Sequence, residues 1–427
     1  MAHHISGTGP YLRLTQRLNR SPQGAPPSEL LIKILGILFQ EKEAALVAML
    51  PLRPFTAERA GRIWKMAPAK ARRLLDGLAD KALLVDFEEK GVTRYVLPPP
   101  MAGFFEFSLM RVRGDIDQKL LSTLFYQYLN EEEDFVRELF TRGDTQLGRV
   151  FVHEPALSPA NTLHILDYER ATAVIDTATA IGISTCYCRH KMLHMELACK
   201  APLEICMTFN TSGAALIRHG HARAASAEEA KELLQAAYES NLVQFGENVR
   251  EGVNFICNCC GCCCEAMIAA RRFAFDHPVH TTHYIPVIDA NACDGCGRCV
   301  AACPVEAMAL VSANDPARPK RKTARLYAER CLGCAVCKRV CPRDDALRLT
   351  RRSTRRITPL NGSHRTVIMA IERGTLQHLI FDSHVLWSHR ALGALLGTIL
   401  GLPPIQRAMA SQQVTSRYLE ALVQRFA

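Results

Sequence analysis

Eighteen cysteines lie in this chain of 427 residues, and all of them fall between Cys186 and Cys341. A chain whose thiols are confined in this way must fold one segment around what thiols bind, while its flanks fold by ordinary burial. The opening residues Met1 to Pro10 lack the basic and apolar regions of a secretory leader, so a cytoplasmic location is expected. Disulfides do not persist there, which leaves metal binding or thiol chemistry. Hydrophobic residues make up 48% of the sequence, too many for a disordered chain, and the length calls for two to four folded units. The net charge of +10 favours acidic partners without saying which kind. The apolar stretch Ala391 to Leu402 is shorter than the roughly 20 residues a transmembrane helix needs, so no transmembrane segment is expected.

The fold class expected is α+β and multidomain. In residues 28–97, Leu30, Leu31, Ile34, Leu35 and Leu38 mark one helix, and Ala71, Leu74, Leu75 and Leu78 mark another that Pro68 can open. Thr56 can cap a helix between them, and the runs Leu83 to Phe87 and Val92 to Leu97 read as a hairpin. Three helices followed by a hairpin resemble a winged helix-turn-helix. Residues 101–185 read as a helical scaffold whose acidic run Glu131 to Asp134 suits a helix start. Residues 186–288 read as a cysteine-rich α/β domain in which Ser226-Ala-Glu-Glu229 is a capping box. Residues 289–350 form a second cysteine zone, and 357–427 a helical tail in which Gly393, Gly397 and Gly401 line one helix face.

The second zone repeats C-x2-C-x2-C-x3-C-P, as Cys293, Cys296, Cys299, Cys303-Pro304 and again as Cys331, Cys334, Cys337, Cys341-Pro342. Three thiolates on one tight loop can each reach a different iron of a cubane, and the fourth is expected at the start of a helix that carries it towards the other cluster. Zinc knuckles would need four ligands per site and would give no reason for the repeated Cys-Pro. The segment closely resembles bacterial two-cluster ferredoxins. That resemblance implies that one [4Fe-4S] cluster takes Cys293, Cys296, Cys299 and Cys341, and the other Cys331, Cys334, Cys337 and Cys303. About twenty-seven residues separate the two motifs, longer than in compact ferredoxins, and they include the basic run Arg318 to Lys322.

Upstream, Cys186, Cys188, Cys199 and Cys206 are enough for one further site, and an extended stretch would let Cys186 and Cys188 share a metal. Arg189, His190, Lys191 and His194 put positive charge beside them and favour thiolates. Cys257, Cys259, Cys260, Cys262, Cys263 and Cys264 place six thiols within eight residues, more than packing would require. One or two additional iron–sulfur clusters, a zinc or mixed-metal site, and a thiol redox centre are the three readings, the first being preferred. Cys259-Cys260-Gly261 resembles the paired-cysteine signature of heterodisulfide-reductase-type domains. The two upstream blocks with the downstream repeat are similar to a group of bacterial 4Fe-4S dicluster proteins. His164, His219, His221, His277, His280 and His283 are candidate ligands or proton donors that read, one by one, as ordinary histidines.

No dinucleotide, triphosphate or hydrolase motif accompanies these cysteines. The reading is an electron-transfer protein that relays low-potential electrons to or from a partner oxidoreductase, as a component of a redox system more than as a stand-alone enzyme. Fourteen Lys or Arg against three acids between Arg318 and Arg356 would attract an acidic redox partner protein. A nucleic-acid-binding redox sensor acting through residues 28–97 is one alternative, disfavoured because Lys70, Arg72 and Arg73 are offset by Asp76 and Asp80. A reductase with a catalytic cluster in the central zone is the other.

Overall fold

The computed structural model describes residues 9–162, 165–273, 277–353, 358–382 and 387–400. The chain forms two compact units, one drawing on Met1–Thr145, Ala214–Ala222 and Asn361–Ala427, the other on Gln146–Gly213 and Arg223–Leu360.

In the first unit, α1 (Glu29–Leu38) begins where the Ser28 hydroxyl accepts the Leu31 N–H at 3.1 Å, and it buries Leu31, Ile34, Leu35 and Leu38. Thr56 caps α2 (Ala57–Trp64) in the same way, and α3 (Pro68–Asp80) opens on its proline, whose missing N–H costs nothing at that position. The hairpin β1 (Val85–Glu89) and β2 (Val92–Val96) follows, in register from Val85 opposite Val96 to Glu89 opposite Val92. Phe104, Phe105, Phe125 and Phe135 are fully buried, with Phe105 centred 4.9 Å from both Phe104 and Phe125. The 101–185 stretch is thus divided, contributing to this unit as far as Thr145 and to the other from Gln146. Of the tail, helices Gly362–Glu372, Leu376–Ile380 and Trp387–Leu400 belong here. A Cβ at Gly393 would sit 3.8 Å from Phe381 and one at Gly397 3.5 Å from Gln377, so this glycine face packs within the chain, while Gly401 lies outside the described residues.

The second unit is built on a six-stranded antiparallel sheet in the order β3-β7-β8-β5-β4-β6. Its strands are β3 (Gly148–Val150), β4 (Ile181–Thr185), β5 (Glu204–Phe209), β6 (Arg223–Ala224), β7 (Val243–Glu247) and β8 (Phe255–Cys259). Met207, Phe209, Ile256, Ile181 and Ile183 form a core with Ala230 and Leu234. These last two lie on the helix Ala227–Glu239, which the Ser226 hydroxyl caps at Glu229. Strand alternation then sends the intervening residues of β5 and β8 to the opposite face. Those residues include Cys206, Cys257 and Cys259. Met207 pairs with Ile256, so the same register sets Cys206 directly across from Cys257. The downstream segment adds two two-stranded pieces, β9 (Tyr284–Ile288) with β12 (Leu347–Arg351), and β10 (Met308–Ser312) with β11 (Lys322–Leu326).

Candidate metal centres

The two C-x2-C-x2-C-x3-C repeats adopt one backbone. Gly295 and Gly297 have φ of +70° and +77°, and Gly333 and Ala335 repeat the pattern at +76° and +72°. Each loop leads into a five-residue helix, Arg298–Ala302 or Val336–Val340, that carries the third cysteine. Gly333 is required twice over: its φ is left-handed, and a Cβ would lie 2.2 Å from the Thr282 hydroxyl oxygen.

Cys299 and Cys337 sit in one apolar cluster with Met308, Ala324 and Leu347, and Cys293, Cys303 and Cys341 pack against it. The thiols sort themselves by mutual repulsion. Burial pushes Cys299 up to about 11, and the neighbours that raise it further are Cys293, Cys341 and Cys296. Burial also drives Cys337 well above the ordinary thiol range, assisted by Cys334, Cys331, Cys303 and, last, Cys299. The Ala307 N–H donates to Cys303 Sγ at 3.2 Å. Buried thiols that repel one another and receive backbone N–H groups are a donor set for an anionic thiolate-bound cluster, and the residues present fit one.

The upstream thiols fall into two groups. Cys199, Cys260, Cys262 and Cys263 have sulfur atoms all within 4.8 Å of one another, with 3.6 Å between Cys199 and Cys260. The others run along the thiol face of the sheet. Cys188 and Cys259 stand beside Cys264, and Cys206 and Cys259 stand beside Cys257. The neighbouring Cys206 and Cys259 hold Cys257 below the ordinary thiol range, and Cys263, followed by the charge of Arg189, holds Cys260 below it. Cys186, raised to about 12 by burial, feels Cys257 and Cys260.

Two expectations change here. The stretch from Cys186 to Cys188 is not extended: Cys186 is the N-cap of the helix Tyr187–His194 and Cys188 lies inside it. On a helix, residues two apart point in different directions, so Cys188 turns to Cys264 while Cys186 faces Cys257 and Cys260. Cys199 leaves the other three of its sequence group to join Cys260, Cys262 and Cys263.

The positive charges also divide. Arg189 is buried, donates to the carbonyl of Asn258 at 2.5 Å and to that of Pro202, and hydrogen-bonds Cys260. Lys191 is fully buried in an ion pair with Glu265. Glu265 opens the helix Glu265–Arg272, capped by Cys264, so the pair clamps together the helices that bring Cys188 and Cys264 into contact. Sequence reading missed Glu265, because its partner lies 74 residues away.

Three of the candidate histidines face groups other than thiols. His219 contacts Asp80 and Asp86, His283 pairs with Glu169, and His280 contacts Gln146 and Asn248. His164 lies outside the described residues.

Comparison with known proteins agrees with the downstream geometry. A 4Fe-4S dicluster domain family matches residues 286–349. A ferredoxin-3 of Sinorhizobium fredii is 35% identical over an alignment of 77 positions that covers 14% of this chain and 73% of that protein. The chain belongs to the ferredoxin family. Ferredoxin-3 of Rhodobacter capsulatus is 32% identical over 79 residues, covering 15% of this chain and 78% of the relative, and ferredoxin-3 of a Nostoc species is 27% identical over 88 residues, covering 18% and 91%. No solved structure matches. The family therefore accounts for one module of a larger protein, and that ferredoxin module gives the chain an iron–sulfur electron-transfer role. No described helix is long and apolar enough to cross a membrane.

The ferredoxin module packs on the thiol-rich sheet within the second unit. The His153 N–H donates to the Cys334 carbonyl at 3.1 Å, and Gly261 lies so close to Pro304 that a Cβ would meet its carbonyl oxygen at 2.6 Å. A cavity of about 890 Å³ is lined by Cys199, Cys260, Cys262, Cys303 and Pro304 among others.

Proposed function

We propose that the protein is a multicentre electron carrier. In this reading one [4Fe-4S] cluster takes Cys293, Cys296, Cys299 and Cys341, the other takes Cys331, Cys334, Cys337 and Cys303, and Cys186, Cys188, Cys206, Cys257, Cys259 and Cys264 supply ligands for a third. The observation that carries the reading is the repeated loop backbone, left-handed at Gly295, Gly297, Gly333 and Ala335, with Cys303 and Cys341 packed beside Cys299 and Cys337 in one cluster. When bound, such clusters supply one-electron chemistry at low potential.

The chain's own residues set where electrons enter or leave. Cys296 is exposed, whereas Cys331, Cys334 and Cys337 are buried, so the first ligand set lies nearer solvent. Arg298, Arg325, Arg348 and Arg351 are exposed on the same module. We read this basic surface as the docking face for an acidic redox protein, steered by long-range charge. The order of helices and hairpin in residues 28–97, with a further helix Glu41–Val47 after the first, supports a winged-helix reading of that region.

Dithionite-reduced protein mixed anaerobically with an acidic flavodoxin tests the proposal. Reversible bleaching is expected, with an electron-transfer rate that falls severalfold as salt rises from about 0.01 M to about 0.15 M. A protein that does not bleach contradicts the carrier role, and a salt-independent rate contradicts the docking face.

A further inference from the structure

We propose that Cys199, Cys260, Cys262 and Cys263 hold a single tetrahedral zinc ion, separate from every iron–sulfur cluster of the protein. The spacing decides this. The sulfur atoms of Cys199 and Cys260 are 3.6 Å apart, those of Cys262 and Cys263 are 3.6 Å apart, those of Cys199 and Cys263 are 3.9 Å apart, and all four lie within 4.8 Å of one another. With zinc–thiolate bonds of about 2.3 Å, a tetrahedral ion sets its thiolates about 3.8 Å apart. In a cubane two thiolates are joined through iron, sulfide and iron, four bonds instead of two, and cannot approach so closely. A disulfide would need about 2 Å between sulfurs, and all four thiols are free.

The donor set points the same way. Among the described residues this is the group of His, Cys, Asp or Glu ligand atoms gathered this tightly, and it contains sulfur alone. Four thiolates close the coordination shell and leave no open position, the arrangement of a structural zinc site. Three ligands come from one turn between β8 and the helix Glu265–Arg272, and Cys199 comes from the loop before β5. The ion would tie together segments 61 residues apart. Zinc with four thiolates carries a net charge of −2, and cations stand beside the site: Arg189 hydrogen-bonds Cys260, and Arg271 donates to the Gly261 carbonyl at 3.1 Å. The same turn presses Gly261 against Pro304, the residue after Cys303. A zinc ion would hold the turn against the ferredoxin module and so fix the position of Cys303.

Metal analysis of the full chain tests this independently of the electron-carrier reading, because zinc and iron are counted separately. Anaerobically purified protein is expected to contain one zinc per chain, with a zinc X-ray absorption spectrum showing four sulfur neighbours and no iron scatterer. Cys262 is exposed, so Cys262→Ser should fold and lose zinc to a chelator about tenfold or more faster than the parent. The double variant Cys199→Ser/Cys262→Ser should lose zinc with iron and labile sulfide unchanged. Absence of zinc from the parent overturns the proposal, as does a double variant that loses iron and sulfide together or retains its zinc.

Discussion

The thiols of the ferredoxin module and those of the upstream sheet are one ligand type held by two kinds of scaffold. In the ferredoxin module, each loop is turned by left-handed residues and delivers three cysteines at fixed intervals, and in the proposed reading the fourth comes from the other repeat. In the upstream zone, the thiols come from strand, helix and turn at once, and four of them crowd within 4.8 Å. The difference teaches that sequence spacing sets how far apart thiols can be spread, whereas tertiary convergence sets how close they can come. Separation in turn decides whether a single ion or a cluster suits the site.

The comparison breaks most visibly if the ferredoxin ligand sets are not crossed. Cys341→Ala should remove about four irons per chain. Adding Cys293→Ala should remove no more, because both cysteines serve one cluster, while adding Cys331→Ala should roughly double the loss. Iron and sulfide counts with EPR of the reduced variants check this, and the opposite pattern would show that each repeat binds its own cluster.

A smaller effect concerns the clamp behind the upstream thiols. Lys191→Met strands a buried Glu265 carboxylate and should destabilise the second unit by about 3–5 kcal/mol in anaerobic denaturant unfolding. Lys191→Met/Glu265→Leu should recover most of that loss. If the single variant unfolds like the parent, the pair does not organise the site.

The smallest effect separates the cysteine-free unit from the thiol-bearing one. His221 is buried, its Nε2 faces the Asp80 carbonyl at 3.0 Å, and burial lowers it to about 4 from an ordinary 6.5. The folded state keeps it neutral while the unfolded chain protonates it. Stability is therefore fully present above pH 6.5 and is lost as pH falls towards 4, by up to about 3 kcal/mol. His221→Gln, which can keep the hydrogen bond to Asp80, should flatten that slope without changing iron content. A variant with the parent's slope would place the acid sensitivity elsewhere.

What was legible in the sequence follows from the range of the interactions. The C-x2-C-x2-C-x3-C-P repeat is local, so its loops could be read directly, as could the caps at Thr56 and Ser226 and the start at Pro68, but Cys303 and Cys341, expected to start a helix, instead close the short helices that carry Cys299 and Cys337. The upstream partition depends on strand register. Cys257 and Cys259 fall at alternate positions after Phe255 and Ile256, a signal for a strand, but only pairing with β5 shows that Cys206 stands opposite Cys257. The stretch from Cys186 to Cys188 looked extended because two cysteines were spaced by one residue, yet the chain turns into a helix there. Lys191 looked like a charge for the thiols, and a carboxylate distant in sequence takes it instead.

Iron, acid-labile sulfide and zinc measured together on the full chain, purified without oxygen, test the central claim most directly. The account predicts iron and sulfide in equal amounts, about twelve of each with eight assigned to the ferredoxin module, and a single zinc. A colourless protein holding zinc in place of iron and sulfide would contradict it.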